Sequence, residues 1–443
     1  MSRRNRKPKL PNYPVRVTIE SLSHDGRGVA HVEGKTVFVD GALPGEELSF
    51  LYSARSRRHD EGKLCELFAA SPDRVEPKCA AFTVCGGCSL QHQDTGQQIL
   101  SKQQTLLDNL ERIGKVQPGR VLEALTGPVW GYRNKARLGV KYVNKKHRVL
   151  VGFREKRKPY IADISRCEVL HPDVGERLEE LAQLIGGMEA RARIAQIEVA
   201  AGEDCTVLVF RNLDPLNEQD TQTLVGYAQQ TGLHIYLQPA GPDSVELLWP
   251  ETSTLSYQLP DFGLEVRFLP MDFTQINPAI NQPMIQQALG LLELQQDDQV
   301  LDLFCGLGNF TLPMARSARQ VTGVEGEAGL VQRARDNARH NGIDNVAYHV
   351  VDLAEDPREQ SWMKQRYDKI LIDPPRSGAR EPVQHLGALD AERIVYVSCH
   401  PASLARDAGI LVHELGYELA AAGVMDMFPH TAHVESMALF VRG

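Results

Sequence analysis

Two residues near the C-terminus have the types and settings for covalent chemistry. Cys399 closes the apolar run that starts at Arg393, and His400, Pro401 and a helical pattern, PASLARDAGILVHEL, follow it. A strand that delivers a thiol to a helix start places it where unpaired backbone N–H groups favour the thiolate. Glu435 stands in MFPHTAHVESMAL, at the head of the last apolar run and close to His430 and His433. A carboxylate there suits general-base work if partial burial raises its pKa towards neutrality. Taken singly, each has an ordinary reading. A strand-end cysteine is a small buried hydrophobe, a lone glutamate a surface ion-pair partner, and two histidines at i, i+3 lack a third metal ligand. Taken together, a thiol and a proton acceptor are what addition and elimination at a flat ring require.

The preceding segments supply a cofactor end. VLDLFCGLGNFTLPMA reads as strand, glycine loop and helix start, with Gly306 and Gly308 opening the backbone to a ligand. Phe310 and Thr311 occupy the region where a dinucleotide fingerprint has its third glycine. Glu325 ends the next strand, 17 residues after Gly308, where an acid holds ribose hydroxyls. Asp352 ends the third, where a carboxylate accepts from an adenine amine. An incomplete glycine set and no phosphate-binding lysine favour S-adenosylmethionine over NAD or ATP. Cys305, inside the glycine loop, is a rival nucleophile whose ordinary role is packing.

The fourth strand ends in Asp373-Pro374-Pro375-Arg376-Ser377-Gly378. Amine-directed methyltransferases have an aromatic where Arg376 stands, so an exocyclic amine is a poor target. Uracil C5 fits better. It is a weak nucleophile until a thiolate adds to C6, and after methylation a base must remove its proton before the thiolate leaves. Cys399 and Glu435 fill those two roles.

Cys79-x5-Cys85-Gly-Gly-Cys88 is a tight loop of three thiols. Tetrahedral zinc or an iron–sulfur cubane needs four, and Cys65, Cys167 and Cys205 compete for the last place. Spacing alone leaves zinc and iron open. The chain has eight cysteines, and their clustering predicts metal in a reducing cytoplasm more than disulfides. No apolar run is long enough for a bilayer, and the basic N-terminus has no apolar stretch after it to make a secretory signal.

Net charge is −8, but its distribution is uneven. Residues 1–10 carry five Lys/Arg and no acid, and residues 133–158 carry eleven against Glu155 alone. In the second stretch aromatics alternate with cations at near-strand spacing, which suits phosphate contacts and base stacking. Residues 14–70 read as five short strands with glycine turns, a small barrel of OB type. A helix is predicted over 97–113, ending at Gly114. Residues 120–270 read as a mixed α+β domain with one clear helix, VGERLEELAQLIGG. From about 283, QVLDLF, VTGVE, VAYHVV, DKILID and RIVYVSC alternate with helical or turn segments, the pattern of a doubly wound parallel sheet. YELAAAGVMDMF and ESMALFVRG have no helix between them, so the sheet should end in an antiparallel pair.

These motifs together (FTQINPAINQPM, LDLFCGLGNFTLPMA, GVEG, DPPRSG, YVSCHPASLARD and MDMFPHTAHVES) resemble the RNA 5-methyluridine methyltransferases. HDGRGVA and GKTVFVDGALPGE resemble a TRAM domain. With the cysteine loop, the likeness runs to the iron–sulfur members that methylate a uridine of 23S ribosomal RNA. It implies an α/β fold: a class I, Rossmann-like methyltransferase domain over 276–443, an OB-like TRAM barrel over 12–70, and a central α+β domain over 71–275. It implies Cys399 as nucleophile and Glu435 as base. Gln275, Phe304, Asn309, Glu325, Asp352 and Asp373 would surround S-adenosylmethionine, and Cys79, Cys85, Cys88 and Cys167 would hold a [4Fe–4S] cluster. It implies a cytoplasmic monomer acting on 23S rRNA, with no membrane partner. One departure stands out: His400 follows the nucleophile where relatives carry Asn. Methylation of tRNA or another rRNA uridine is the rival within the class, and a non-catalytic iron–sulfur RNA-binding factor the rival outside it.

Overall fold

The structure, a computed structural model, describes residues 10–443, so the basic run at residues 1–9 lies outside the described residues. The chain forms two compact units. The first runs to Lys102 and includes Phe428–His433; the second comprises Gln103–Met427 and Val434–Gly443.

The first unit contains the barrel. Its strands are Val15–Thr18, Ser21–Leu22, Gly28–Val32, Lys35–Asp40, Glu47–Arg55 and Asp60–Ala69. The segment from Val15 to Leu22 closes it, pairing with Glu47–Phe50 at one end and with Gly28–Val29 at the other. Alternation along these strands turns Ile19, Ala30, Val37, Val39, Leu48 and Phe50 inward to one core. The buried Glu46 carboxylate accepts from Leu43 N and from Arg74 (Nη2, 2.7 Å), tying the following linker to the barrel.

The second unit carries two large sheets. A six-stranded sheet orders Glu246–Trp249, His234–Leu237, Thr206–Asn212, Ile194–Ala201, Lys135–Val143 and Arg148–Gly152. Leu178–Gly187 is the expected helix, but the domain has a second, Glu218–Thr231. That helix is polar over most of its surface and buries only Asp220, Leu224, Tyr227 and Ala228. Its ends carried the signal that periodicity lacked: Asn217 accepts from Asp220 N at the N-cap, and Gly232 closes the other end at φ 73°.

The eight-stranded sheet is the doubly wound one. Val346–Val350, Gln320–Glu325, Gln299–Leu303, Lys369–Ile372 and Arg393–Ser398 lie side by side and parallel. Covered on both faces, the inner four are buried along most of their length rather than alternating, whereas the edge strand Val346–Val350 is only half-buried. Glu435–Arg442 then inserts antiparallel between Arg393–Ser398 and Tyr417–Met425, and Arg120–Val121 adds a short outer strand. The helix Thr95–Asn109 starts two residues earlier than predicted and runs into a single π turn, Leu110–Gly114. Gly114 is obligatory there, because a Cβ would lie 2.4 Å from the carbonyl oxygen of Ala405. That contact seats the turn against Pro401–His413, the helix that follows Cys399.

Candidate active site

Strand order reverses between Gln299–Leu303 and Lys369–Ile372, and in open α/β sheets ligands bind at such a switch point, beyond the carboxyl ends of the strands. The register aligns those ends: Leu303 is opposite both Val324 and Ile372. Phe304, Glu325 and Asp373 therefore leave neighbouring strands at one level. Phe304 is held in the left-handed region at φ 65°, a conformation costing about 1–2 kcal/mol, with its N–H bonded to Val324 O at 2.9 Å. It turns the chain into the loop of Gly306 (φ 53°) and Gly308 (φ 94°). Glu325 braces that loop from the next strand: one carboxylate oxygen accepts from Gly306 N at 3.2 Å, the other from Gly326 N at 2.7 Å.

Asn309 is locked from two sides. Its amide pairs reciprocally with that of Asn281 (2.9 and 3.0 Å), and its Oδ1 also accepts from Tyr257 OH at 2.8 Å. Asn281 lies on Pro278–Leu292, so this pair fixes the helix that begins just after Gln275 to the glycine loop. Gln275 itself is half-buried, on a segment held by Asn134 N donating to Ile276 O. Asp352 is exposed beyond the edge strand, and its carboxylate accepts from Ala354 N at 2.9 Å in its own turn. Among the described residues the Asp373 carboxyl accepts no hydrogen bond, and burial pushes its pKa up to about 7. Behind it, Asp302 is raised to about 8, chiefly by burial and further by Asp373 and Glu325, while Thr311 Oγ1 donates to it at 2.5 Å.

Cys399 and Glu435 meet at the end of a ladder. Arg393–Ser398 pairs with Glu435–Arg442 in a register that ends with Ser398 opposite Ser436. One step further outward, Cys399 stands opposite Glu435. Both are half-buried, so the thiol is neither walled off nor fully solvated. The expected lowering of the thiol pKa does not occur. Burial pushes it up to about 11, and the negative charges of Glu435 and Asp373 add to this, with only Arg376 opposing them as a neighbouring cation. Desolvation of the thiolate, the largest cause, outweighs the helix terminus, and two nearby carboxylates add to it. The rival thiol, Cys305, is 6% exposed and raised well above its ordinary value by burial, as suits a packing residue.

The Asp-Pro-Pro-Arg-Ser-Gly loop is anchored to the helix after Cys399. Buried Asp407 accepts from Ala379 N at 2.8 Å and from Tyr396 OH at 2.7 Å, and Arg406 bonds both Asp407 and Ser377 O. Gly378 (φ 80°) sits so close that a Cβ would lie 2.6 Å from Asp407 Oδ2. Asp407 and Asn281 were not singled out from sequence. Asp407 had a signal, since it lies between Leu404 and Leu411 on the apolar stripe of its helix. His400 serves as N-cap, its Nδ1 accepting from Ser403 N at 3.3 Å. His430 is buried and held in the first unit, where its N–H donates to Gln98 Oε1 at 2.8 Å, and His433 packs edge-on against Phe428.

Residues 115–442 match the family described as tRNA (Uracil-5-)-methyltransferase, and residues 12–49 match the TRAM domain. The chain belongs to this uracil-5-methyltransferase family. A protein of Xanthomonas euvesicatoria named 23S rRNA (uracil(1939)-C(5))-methyltransferase RlmD is 54% identical over 437 residues, 98% of each chain. One of the same name from Methylococcus capsulatus is 53% identical over the whole of both chains. Among solved structures, Pyrococcus abyssi tRNA (uracil-54, C5)-methyltransferase in complex with S-adenosyl-L-homocysteine aligns with a TM-score of 0.73 at 24% identity, covering 96% of this chain and all of that one. That likeness confirms the family fold, with the TRAM barrel ahead of it.

The site fits the adenosyl cofactor on its own terms. An added Cβ at Gly306 would meet nothing within 4 Å, leaving the loop open, and Asp373 offers an unpartnered, desolvated carboxyl to a cation. The cysteines are a looser fit to a metal group. Cys79, Cys85 and Cys88 lie in consecutive turns of the first unit, and Gly87 N donates to Cys85 Sγ at 3.4 Å, a bond that favours a thiolate. Cys167 belongs to the second unit. Among the described residues no three His, Cys, Asp or Glu side chains stand together as metal ligands.

Proposed function

We propose that the chain transfers a methyl group from S-adenosylmethionine to C5 of a uridine in 23S ribosomal RNA, with Cys399 as nucleophile and Glu435 as base. The register of two neighbouring strands, which sets Cys399 and Glu435 one step beyond the Ser398–Ser436 pair, carries the reading. Relatives 53–54% identical along nearly the whole chain are named for uracil 1939 of 23S rRNA, and this supports the same target.

The bound cofactor supplies an electrophilic methyl group on a cationic sulfur. Cys399 gives up its S–H proton to solvent and its thiolate Sγ forms a bond to C6 of the flipped-out base, while the C5–C6 π electrons pass towards O4 as an enolate. C5 takes the methyl group as its bond to the cofactor sulfur breaks. Glu435 accepts the C5 proton; the electron pair restores the C5–C6 double bond and expels the thiolate. Extrusion of the base costs a few kcal/mol, which RNA contacts elsewhere offset. We assign Glu325 to the ribose hydroxyls, Asp352 to the adenine amine and Asp373 to the cationic part, with Gln275, Phe304 and Asn309 completing the wall. We assign RNA binding to the barrel at 12–70 and to the basic surface of 71–275, and catalysis to 276–443. A ribosomal substrate places the reaction in the cytoplasm, and one chain carries every group the chemistry uses, as a monomer would.

Cys79, Cys85, Cys88 and Cys167 are the ligands we propose for a [4Fe–4S] cluster. No redox step is required, so its role is to shape an RNA-contacting loop. Cluster-free protein of native fold that bound and methylated RNA at the full rate would end that part of the reading. The family description favours tRNA as a second reading. Tritiated-methyl transfer to purified 23S rRNA and to bulk tRNA separates the two: label is expected in 23S rRNA, and label in tRNA alone would overturn the assignment.

A further inference from the structure

The six-stranded sheet holds a cavity of about 820 Å³, and no step of the methyl transfer uses it. It lies over the outward face of Lys135–Val143, beside Gln196 of the next strand, and the 153–161 segment folds back over it. An isolated bridge between Arg154 and Ile161 fixes this fold. Gly139 makes room beneath, since a Cβ there would lie 2.2 Å from Ile161 Cδ1. The volume is in the range of roughly 300–1,000 Å³ usual for small-ligand pockets.

The lining combines cations with aromatic rings. Of its four basic residues, Arg137 is paired with Glu198 (2.5 Å) and Lys146 with Asp163 (2.6 Å). Lys141 and Arg154 are exposed and have no acid partner among the described residues. The single acid of the lining, Glu155, is held by Lys158 at 2.8 Å. Tyr160 is 65% exposed at the rim, and Phe153 lies half-buried beside it. A merely solvated strand face does not call for a large exposed ring in one pocket with two uncompensated cations. A splayed nucleotide does, because its base stacks on an aromatic while its phosphates meet lysine and arginine.

We infer that this pocket binds an unpaired nucleotide of the RNA substrate, with its base against Tyr160 and its flanking phosphates on Lys141 and Arg154. The inference rests on the reading of RNA as substrate and adds a second point of grip, separate from the Cys399 site. A duplex would not fit the same groups, since its bases are stacked away from a side chain reaching across the groove.

The test uses the full chain and a single-stranded oligouridylate carrying 5-iodouridine. Photocrosslinking should attach the RNA to Tyr160 or Phe153. Tyr160→Ala should weaken binding about tenfold, the scale of one lost stacked base. Lys141→Ala combined with Arg154→Ala should flatten the slope of log affinity against log salt by about 1.4, two phosphate contacts on a single strand. Wild-type affinity and slope in both variants, or equal binding of a duplex of the same length, would overturn the pocket. Methylation of 23S rRNA, measured on the same preparation, keeps the two readings apart. Protein that methylates but crosslinks elsewhere loses only the pocket, and protein that crosslinks at Tyr160 but never transfers methyl loses only the catalytic reading.

Discussion

Cys399 and Glu435 are opposite each other at the outer end of an antiparallel ladder, on strands that are neighbours in space but 36 residues apart in sequence. Two paired backbones, in register up to Ser398 and Ser436, set where the two residues stand. The arrangement predicts two distinct failures. Cys399→Ala should abolish turnover and every covalent adduct with RNA. Glu435→Gln should leave the addition and methyl transfer intact but slow elimination about 10²–10⁴-fold, the usual contribution of a general base. A protein–RNA complex that survives denaturing electrophoresis should then accumulate in the Glu435→Gln variant. Near-normal turnover by Cys399→Ala would remove the nucleophile from consideration.

The charges around Cys399 set the pH at which it reacts when no ligand is bound. With its pKa pushed up to about 11 by burial, Glu435 and Asp373, the thiol stays protonated through neutral pH. Alkylation by iodoacetamide, followed at this residue by mass spectrometry, should therefore keep accelerating well above pH 9, whereas a free cysteine levels off above about 8.5. Glu435→Gln removes one of the negative charges and should shift the profile to lower pH. A profile that levels off near pH 8 in the wild-type protein would contradict this electrostatic picture.

The same residues show how far the amino-acid pattern could be read. The inner parallel strands were legible because burial on both faces leaves largely apolar runs, and Glu325 and Asp373 stand at the ends of two of them. The Cys399–Glu435 pairing was not: register depends on which strand inserts between which, and two antiparallel partners for Glu435–Arg442 have no local signature. The direction of the thiol shift failed for a related reason. A helix terminus is visible in sequence, but the burial that outweighs it, and the carboxylates of two other strands that add to it, are not. Helix Glu218–Thr231 was missed because its few buried residues make too narrow a stripe for periodicity, although Asn217 and Gly232 marked its ends.

Asp407 should be necessary for stability and for the shape of the loop that follows Asp373. Replacing it with alanine leaves the buried Tyr396 hydroxyl without its acceptor, at about 1–3 kcal/mol for an unsatisfied group, while Ala379 N–H keeps only its longer bond to Tyr396 OH at 3.1 Å. Urea unfolding of Asp407→Ala should show a loss of about 1–3 kcal/mol. Asp407→Asn, which keeps one acceptor oxygen, should recover part of it. A midpoint unchanged in the alanine variant would mean that the loop holds itself.

Asp302 and Asp373 should make the free protein less stable as pH rises. Their folded pKa values, about 8 and about 7, lie above the ordinary aspartate value of 3.8, so the folded state binds more protons than the unfolded state between these limits. Linkage then gives unfolding free energy a negative slope with pH: their favourable contribution is complete below about pH 4 and is lost as pH climbs through about 7 to 8. Thermal unfolding across that window should show Asp302→Asn flattening the decline. A cationic ligand reverses the logic at Asp373, because a nearby positive charge favours its ionised form. Binding of S-adenosylmethionine near pH 7 should therefore release a fraction of a proton, detected calorimetrically as a binding heat that varies with the ionisation enthalpy of the buffer. In Asp373→Asn that dependence should vanish. Heats independent of the buffer in the wild-type protein would place the cation away from this carboxyl.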